Sequence, residues 1–251
     1  PGQILAPSEV ALLASVGMAK VPVWAFPRVA IISTGDELID VQQTPAPWQI
    51  RRSNSYALQS ALRDMGGDAI CFHLEDDLSS MRNELTAIAA DYDVLILSGG
   101  VSRGKFDFVP EVLESIGVRK LFYQVSQRPG KPFWFGKSAS GKVAFALPGN
   151  PVSTFMCFYR YVKPWILRSM GAPYQHATAV LSKDFTFSPA LTCFLQVMLS
   201  YEGGRLMATP LPGGGSGDFA NLRNVNGFLE MPLERSEFRA GEVFPYIAFR
   251  H

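Results

Sequence analysis

The sequence predicts an α/β protein, in which a three-layer α/β/α domain with a largely parallel sheet is followed by a small all-β C-terminal domain. Between about residues 27 and 173, short apolar runs alternate with amphipathic helical segments, as in βαβ units. Most of these runs are apolar at consecutive positions, which is typical of parallel strands covered by helices on both faces. From about residue 176, short strand-like runs separated by Gly, Pro and Asn show little helical periodicity, which indicates the second domain.

The first half of the α/β region contains three strand-like runs and two helical segments. A short lead-in helix, PSEVALLASVG, precedes the first strand, VAIIS. The segment SYALQSALRDMGG follows Ser53 and Asn54 and places its apolar residues on one helical face, with Gly66 as the stop. Next come the strand AICFHL, a helix over about 78–90, and the strand VLILS.

The second half continues the same alternation. A helix with apolar residues at 109, 112, 113 and 116 ends at Gly117, and the runs KLFYQV, PFWFG and KVAFAL supply further strands. The turn LPGNPVS then leads into the apolar helix-like segment TFMCFYRYVKPWILRSM. We therefore predict boundaries that give segments 1–26, 27–173 and 174–251.

Composition excludes several classes of function. The 251 residues include 23 basic and 22 acidic side chains, so the net charge of +1 provides no broad field for nucleic acid or an anionic membrane. No apolar run reaches the length of a membrane span, and no secretory signal opens the chain. Cys71, Cys157 and Cys193 are far apart and form no zinc motif, which favours buried or inert thiols in a reducing cytoplasm.

Three loops directly follow predicted strands, and they share a polar or glycine-rich character. TGDEL follows VAIIS, GGVSRGKFD follows VLILS, and PGNPVS follows KVAFAL. Because ligands bind outside the carboxyl ends of strands in open parallel sheets, we expect these loops to form one site. The prolines of PGNPVS fix the turn, so that the next helix presents its N-terminus and Ser153 to that site.

The loop residues suit a small oxyanion or a phosphate. Gly99 and Gly100 allow close backbone approach, and Ser102 and nearby amides can donate hydrogen bonds. Arg128 and Lys131 lie on a segment stiffened by proline, RPGKPFWFG. The sequence contains neither GxxxxGK[ST] nor GxGxxG, which disfavours a P-loop and a dinucleotide fold.

Carboxylates near the same loops suit a hard cation that bridges phosphates, and no Ser/His/Asp triad is evident. The candidates are Asp36, Asp76, Asp77 and Asp107. Structural alternatives remain open for each. Asp36 can stabilise a turn, Asp76 and Asp77 can solvate a loop and cap the next helix, and Asp107 can cap a helix. Asn54 can likewise be an N-cap, as can Asn150 ahead of a proline.

Five segments occur along the chain in this order: STGDEL, SN before a helix, LSGGVSRGKFD, RPGKPFWFG and LPGNPVS. Together they resemble the molybdopterin molybdenumtransferase family. These are the molybdenum insertases that include MoeA and the gephyrin E domain. The resemblance implies a molybdopterin-binding fold, and it implies that residues 1–26 are the remnant of an N-terminal domain and linker. It also implies a homodimer in the cytoplasm that works with other enzymes of molybdenum cofactor biosynthesis and binds neither nucleic acid nor membrane.

The resemblance further implies a reaction in which adenylylated molybdopterin receives molybdenum from molybdate, with release of AMP and assistance from Mg²⁺. Asp36, Asp107 and Lys131 would be catalytic, and the two carboxylates would hold the metal. The residues around molybdate would be Ser102, Arg128, Lys131, Pro132 and Ser153. Those that contact the pterin or nucleotide would be Asn54, Gly99, Gly100, Gly104, Pro148, Gly149 and Asn150.

Two departures from the family pattern and two alternatives accompany this hypothesis. Gln124 stands where relatives often carry lysine, and the longer N-terminal portion of relatives is absent. A molybdopterin adenylyltransferase-like enzyme is one alternative, although the PGKP and LPGNPVS pair and the β domain argue against it. A noncatalytic binding or scaffold module of the same fold is the other.

Overall fold

The computed structural model describes residues 4–101, 108–175, 177–215 and 217–250. It begins with helix α1 (Pro7–Ser15), in which no residue is buried. Within the described ranges, no helix combines the length and the apolar content that a bilayer crossing requires.

The α/β part alternates strands with helices, as the sequence predicts. Its main helices and strands are β1 (Val29–Thr34), β2 (Leu38–Ile39), β3 (Ile50–Arg51), α2 (Ser53–Arg63), β4 (Ala69–Leu74), α3 (Leu78–Asp91), β5 (Val94–Ser98), α4 (Val109–Ser115), β6 (Val118–Tyr123), β7 (Gln127–Arg128), β8 (Trp134–Ser138), β9 (Val143–Leu147), α5 (Pro151–Cys157) and α6 (Lys163–Ser169).

Six of these strands form the central sheet, in the order β4-β1-β5-β9-β8-β6. The neighbours β4, β1, β5 and β9 are parallel, whereas β8 is antiparallel to both β9 and β6. Only β8 therefore runs against the other strands of this sheet, which confirms the prediction of a largely parallel sheet.

Helices cover both faces of the sheet. Val29 and Ile31 of β1 belong to a core cluster that also contains Leu58 of α2 and Met156 of α5. Ala30 and Ile32 point to the other face, where the core includes α3 and α4 side chains. Successive residues of a strand point to opposite faces of the sheet. A strand that has no polar face is therefore buried on both faces. The three-layer α/β/α prediction is confirmed.

The segment after β9 was predicted as one long helix, but the structure divides it. A π-helical turn, Phe158–Val162, separates α5 from α6. Pro164 stands at the start of α6 and has no N–H to donate to the preceding turn. A proline inside a regular α-helix would clash with the carbonyl four residues earlier, so a local change of helix type accommodates it.

The C-terminal part is a β-barrel of five strands. Its helix and strands are β10 (Ala177–Leu181), β11 (Phe185–Thr186), β12 (Thr192–Glu202), β13 (Arg205–Pro210), a 3-10 helix (Phe219–Arg223), β14 (Gly227–Met231), β15 (Glu237–Phe238) and β16 (Val243–Ala248). Because β13 pairs with both β10 and β12, the order β13-β10-β16-β14-β12 closes on itself. The predicted small all-β domain is confirmed, and it takes the form of a barrel.

One connection between the two parts was not predicted. The two-residue strand β7 belongs to the α/β part, yet it pairs in parallel with β12 of the barrel, Thr192 opposite Gln127 and Cys193 opposite Arg128. A strand this short has no periodicity that sequence analysis can detect. The pairing fixes the RPGKP segment against the barrel.

The cysteines differ in exposure. Cys157 and Cys193 are buried free thiols, as predicted, whereas Cys71 is free and exposed. Cys71 lies on β4, the edge strand of the central sheet, where one neighbouring strand is missing.

Candidate functional site

Two adjoining cavities lie at the edge of the sheet where β1, β5 and β9 end. Cavity A, about 460 Å³, is lined by the loops that follow these three strands and by the start of α2. Cavity B, about 540 Å³, lies between the RPGKP segment, the start of α5 and the barrel. Pro132, Pro148 and Asn150 line both. The two cavities are therefore neighbours that share one wall.

The three predicted loops meet in cavity A. Gly35, Gly99 and Gly149, one from each loop, line the cavity. The approach is close, because a Cβ atom placed on Gly149 would lie 3.7 Å from the Cα of Gly99. The parallel strand order accounts for this convergence, since the carboxyl ends of β1, β5 and β9 share one edge.

The glycine pair after β5 has a conformation that other residues adopt only with strain. Gly99 and Gly100 have φ angles of 103° and 64°. Their neighbour is Thr34, because a Cβ on Gly99 would lie 2.8 Å from the carbonyl oxygen of Thr34. The pair thus brings the backbone of the β5 loop directly against the end of β1.

Asn54 connects three elements rather than capping a helix. Helix α2 begins at Ser53, one residue earlier, so the N-cap alternative for Asn54 is wrong. The Nδ2 atom of Asn54 lies 2.8 Å from Ser98 Oγ, 2.8 Å from the carbonyl oxygen of Gly149, and 3.2 Å from Thr154 Oγ1. Asn54 therefore links α2 to the end of β5, to the loop after β9 and to α5, while it lines cavity A.

Two buried hydroxyl groups in the lining of cavity A have no protein partner in the described part of the chain. They are Thr34 Oγ1 and Ser55 Oγ, whose residues are 3% and 4% exposed. Buried polar atoms are almost always hydrogen-bonded, and an unpaired one costs about 1–3 kcal/mol. Both oxygens are enclosed by protein, so their unpaired state is a cost to the ligand-free chain. Sequence analysis missed both residues, although Thr34 directly precedes the glycine of the TGDEL loop.

We expect Thr34→Val to stabilise the ligand-free chain slightly, by about 1 kcal/mol, because a methyl group of the same shape replaces an unpaired buried hydroxyl. Urea unfolding of the two proteins measures the change. Thr154→Val is the matched control, since its hydroxyl is bonded to the carbonyl oxygens of Pro148 and Asn150 and its loss should destabilise. A destabilised Thr34→Val protein would show that this hydroxyl has a protein partner.

Of the predicted carboxylates, Asp76 lines cavity A and Asp36 lies beside its lining. Asp36 is exposed and lies between two lining residues, Gly35 and Glu37. Its Oδ1 atom accepts a hydrogen bond of 3.0 Å from the backbone N–H of Asp76, another lining residue. Asp77 accepts from the N–H of Ser80 and caps α3, so its structural alternative is confirmed.

A magnesium ion does not need a cluster of protein ligands. Among the described residues no group of three Asp, Glu, His or Cys side chains could hold a metal. Mg²⁺ commonly uses one or two carboxylates, water and the phosphates of its substrate. An exposed carboxylate beside a cavity large enough for a nucleotide, as at Asp36, fits that mode. Asp107, the second predicted ligand, lies outside the described residues.

Part of cavity B is cationic, beside an apolar wall that the barrel supplies. Arg128 and Lys131 line it, and its described lining contains no Asp or Glu. Ser153, 2% exposed in the first turn of α5, also lines it. Burial raises the pKa of Cys193 to about 12, and the nearby Arg128 opposes that shift. Two cations without a carboxylate can neutralise a dianion such as molybdate.

The predicted site residues therefore separate into two groups. Those assigned to molybdate that line cavity B are Arg128, Lys131, Pro132 and Ser153. Those assigned to the pterin or nucleotide that line cavity A are Asn54, Gly99, Gly100, Pro148, Gly149 and Asn150. Ser102, Gly104 and Asp107 lie outside the described residues.

Comparison with known proteins gives consistent results. Residues 30–168 match the family described as a probable molybdopterin binding domain, and residues 178–249 match the MoeA C-terminal region, domain IV. A molybdopterin molybdenumtransferase of Synechocystis is 43% identical over 95% of this chain and 60% of its own length. A Bacillus subtilis protein of the same name is 32% identical over 99% of this chain and 59% of its own length.

A solved structure agrees with these matches. The molybdopterin biosynthesis MoeA protein of Pyrococcus horikoshii superposes with a TM-score of 0.83 at 32% identity, over 100% of this chain and 61% of that protein. The chain thus spans about 60% of the length of the relatives that it matches. These matches confirm the resemblance that the motifs indicate. The chain belongs to the family of probable molybdopterin binding domains, and it carries such a domain together with a MoeA C-terminal region.

Proposed function

We propose that this chain takes part in molybdenum cofactor biosynthesis as a molybdenumtransferase, inserting molybdenum from molybdate into adenylylated molybdopterin with release of AMP. The main support is the pair of adjoining cavities with different chemistry. Cavity B offers two cations and no carboxylate in its described lining, which suits a tetrahedral dianion. Cavity A offers backbone groups of three glycine-containing loops, which suit a polar heterocycle and phosphates.

Each cavity would hold one substrate, and the shared wall would bring the substrates together. Lys131 and Arg128 would neutralise molybdate, and Ser153 would donate a hydrogen bond to one of its oxygens. The amides of the Gly99 and Gly149 loops would bind the pterin phosphate or nucleotide. Holding both reactants in fixed geometry lowers the barrier to their reaction.

We assign a Mg²⁺ site to the rim of cavity A. Asp36 would hold Mg²⁺ at the rim of cavity A, where the ion would neutralise oxygens of the pyrophosphate linkage, and the family resemblance gives Asp107 as its second ligand. The hydrogen bond from the N–H of Asp76 keeps the Asp36 carboxylate oriented at that rim. A carboxylate anchored by one oxygen retains the other for a ligand.

The test is an assay of AMP and of molybdenum bound to pterin, with adenylylated molybdopterin, molybdate and Mg²⁺ supplied to the purified chain. We expect both products to form together, and we expect Asp36→Asn to slow AMP release by about 100-fold or more. Asp91→Asn, an exposed change at the end of α3, is the control. Tight binding of the pterin substrate without AMP release would instead favour the noncatalytic module.

The same assay has a necessary comparison, because the matched relatives are longer. The Bacillus subtilis relative, of which this chain matches 59%, serves as the positive control under identical conditions. If the relative forms both products, whereas this chain forms neither and does not bind the pterin substrate tightly, the proposed activity needs sequence beyond these 251 residues.

We also propose a homodimer that acts in the cytoplasm beside other enzymes of cofactor biosynthesis, with domain boundaries near residues 27 and 174. Support for the dimer comes from α1, where Val10 and Leu12 are 56% and 66% exposed. A second copy could cover these side chains. Sedimentation at several protein concentrations tests this proposal, and a monomer at all of them would contradict it.

A further inference from the structure

A buried polar network lies directly behind the two cations of cavity B. Gln127 is 1% exposed, and it immediately precedes Arg128 in β7. Its Nε2 atom donates to the carbonyl oxygen of Gly130 at 3.1 Å. Its Oε1 atom accepts a hydrogen bond from the hydroxyl of Tyr161. Both ends of this side chain are therefore bonded, one to the loop and one to the helix behind it.

Tyr161 lies in the π-helical turn, on the same side as Cys157 of α5. The Sγ atom of Cys157 is 3.6 Å from Gln127 Nε2. The ring of Tyr161 packs against Phe133, with 4.8 Å between ring centroids. Burial raises the pKa of the Tyr161 hydroxyl, so this group remains a hydrogen-bond donor across the physiological pH range. π-helical turns occur frequently at functional sites.

The loop formed by residues 128–131 packs closely against this network. Gly130 has a φ angle of 88°, and a Cβ on it would lie 2.6 Å from Cys157 Sγ and 2.9 Å from Gln127 Nε2. The N–H of Val125 donates to the carbonyl oxygen of Lys131 at 3.0 Å. The Gly130 and Lys131 carbonyls are thus both held, which leaves the side chains of Arg128 and Lys131 to line cavity B.

We propose that Gln127 and Tyr161 are positioning residues, which hold the 128–131 loop so that Arg128 and Lys131 face one anion in cavity B. This inference rests on the proposed function for the identity of the anion. Without the Tyr161 hydroxyl, Gln127 Oε1 loses its partner in a buried place, and the amide no longer has a fixed orientation toward Gly130. The two cations would then sample several positions.

The first test measures molybdate binding by calorimetry on the full chain, with Tyr161→Phe as the variant. We expect the dissociation constant for molybdate to rise about tenfold, the equivalent of one lost hydrogen bond. Tyr159→Phe is the matched control, since Tyr159 lies in the same π-helical turn but packs against Phe155 and Phe249. Equal binding by Tyr161→Phe and Tyr159→Phe would overturn the proposal.

A double-mutant cycle separates positioning from a general loss of stability. In a Lys131→Met background, Tyr161→Phe should weaken molybdate binding by less than tenfold, because one of the two cations that the loop positions is already gone. In turnover, Tyr161→Phe should raise KM for molybdate and leave KM for adenylylated molybdopterin unchanged. Additive effects in the cycle, or an equal rise in both KM values, would contradict the positioning role.

Hydrogen exchange tests the network without any ligand. Tyr161→Phe should accelerate exchange in the peptide that covers residues 124–134 and leave the β1 and β5 peptides unchanged. Gln127→Met is the second variant, because it keeps about the same volume but removes both the donor to Gly130 and the acceptor for Tyr161, and it should accelerate exchange in the same peptide. Unchanged exchange in both variants would overturn the proposal. Accelerated exchange in a chain that binds no molybdate would support the network and contradict the proposed function.

Discussion

Lys131→Met should lower kcat/KM for molybdate by about 100-fold or more, the largest effect that we expect from a single charge in cavity B. Removal of one donor to a developing or bound oxyanion typically costs about this much. Lys131 and Arg128 are the two cations of the described lining, and no carboxylate there competes for them. A dianion left with Arg128 alone would bind weakly and without a fixed orientation.

Two further variants make this expectation specific. Lys131→Arg keeps the charge but changes its geometry, so we expect a loss of less than about tenfold. Lys137→Met removes an exposed lysine from β8, outside the described lining of both cavities, and should leave kcat/KM unchanged. If Lys131→Met and Lys137→Met behave alike, the molybdate site does not include Lys131.

Much of the fold could be predicted because its signals are local. A strand such as β1, apolar at consecutive positions, has to be covered on both faces, and this requirement already implies helices on each side of a parallel sheet. The parallel arrangement then places the loops after β1, β5 and β9 at one edge. The convergence of three loops in cavity A follows from these two steps.

The division of the site into two cavities could not be predicted in the same way. It depends on β7, whose pairing with β12 brings the RPGKP segment to the barrel. That contact joins residues more than sixty positions apart, and no periodic pattern in two residues signals it. The π-helical turn could not be predicted either, because Pro164 indicates a break in the helix but does not specify which helix type replaces it.

The unpaired hydroxyls of Thr34 and Ser55 show a third limit. In the sequence, a threonine before a glycine and a serine in the first turn of a helix are ordinary turn and helix-start residues. Their importance appears only when burial and hydrogen bonding are known together, because each is buried and has no partner among the described residues. Sequence motifs identified Gly99 and Gly100, which lie against Thr34, because the backbone conformation there restricts the residue type.

Gly99→Ala should destabilise the protein by about 3 kcal/mol, the largest stability effect that we expect at the site. A φ angle of 103° is strained for alanine, and the new methyl group would lie 2.8 Å from the carbonyl oxygen of Thr34. That oxygen belongs to the backbone of a buried strand, so it cannot move away without disturbing the sheet. Urea unfolding measures the loss.

Gly141→Ala separates the cost of the backbone conformation from the cost of the contact with Thr34. Gly141 has a φ angle of 92°, close to that of Gly99, but a Cβ there would meet no atom within 4 Å. It should therefore show only the cost of the backbone conformation, about 1 kcal/mol. The difference between the two variants measures the contact between the β5 loop and the end of β1. Equal losses would mean that the loop can move away from Thr34, in which case cavity A is not held in a fixed shape.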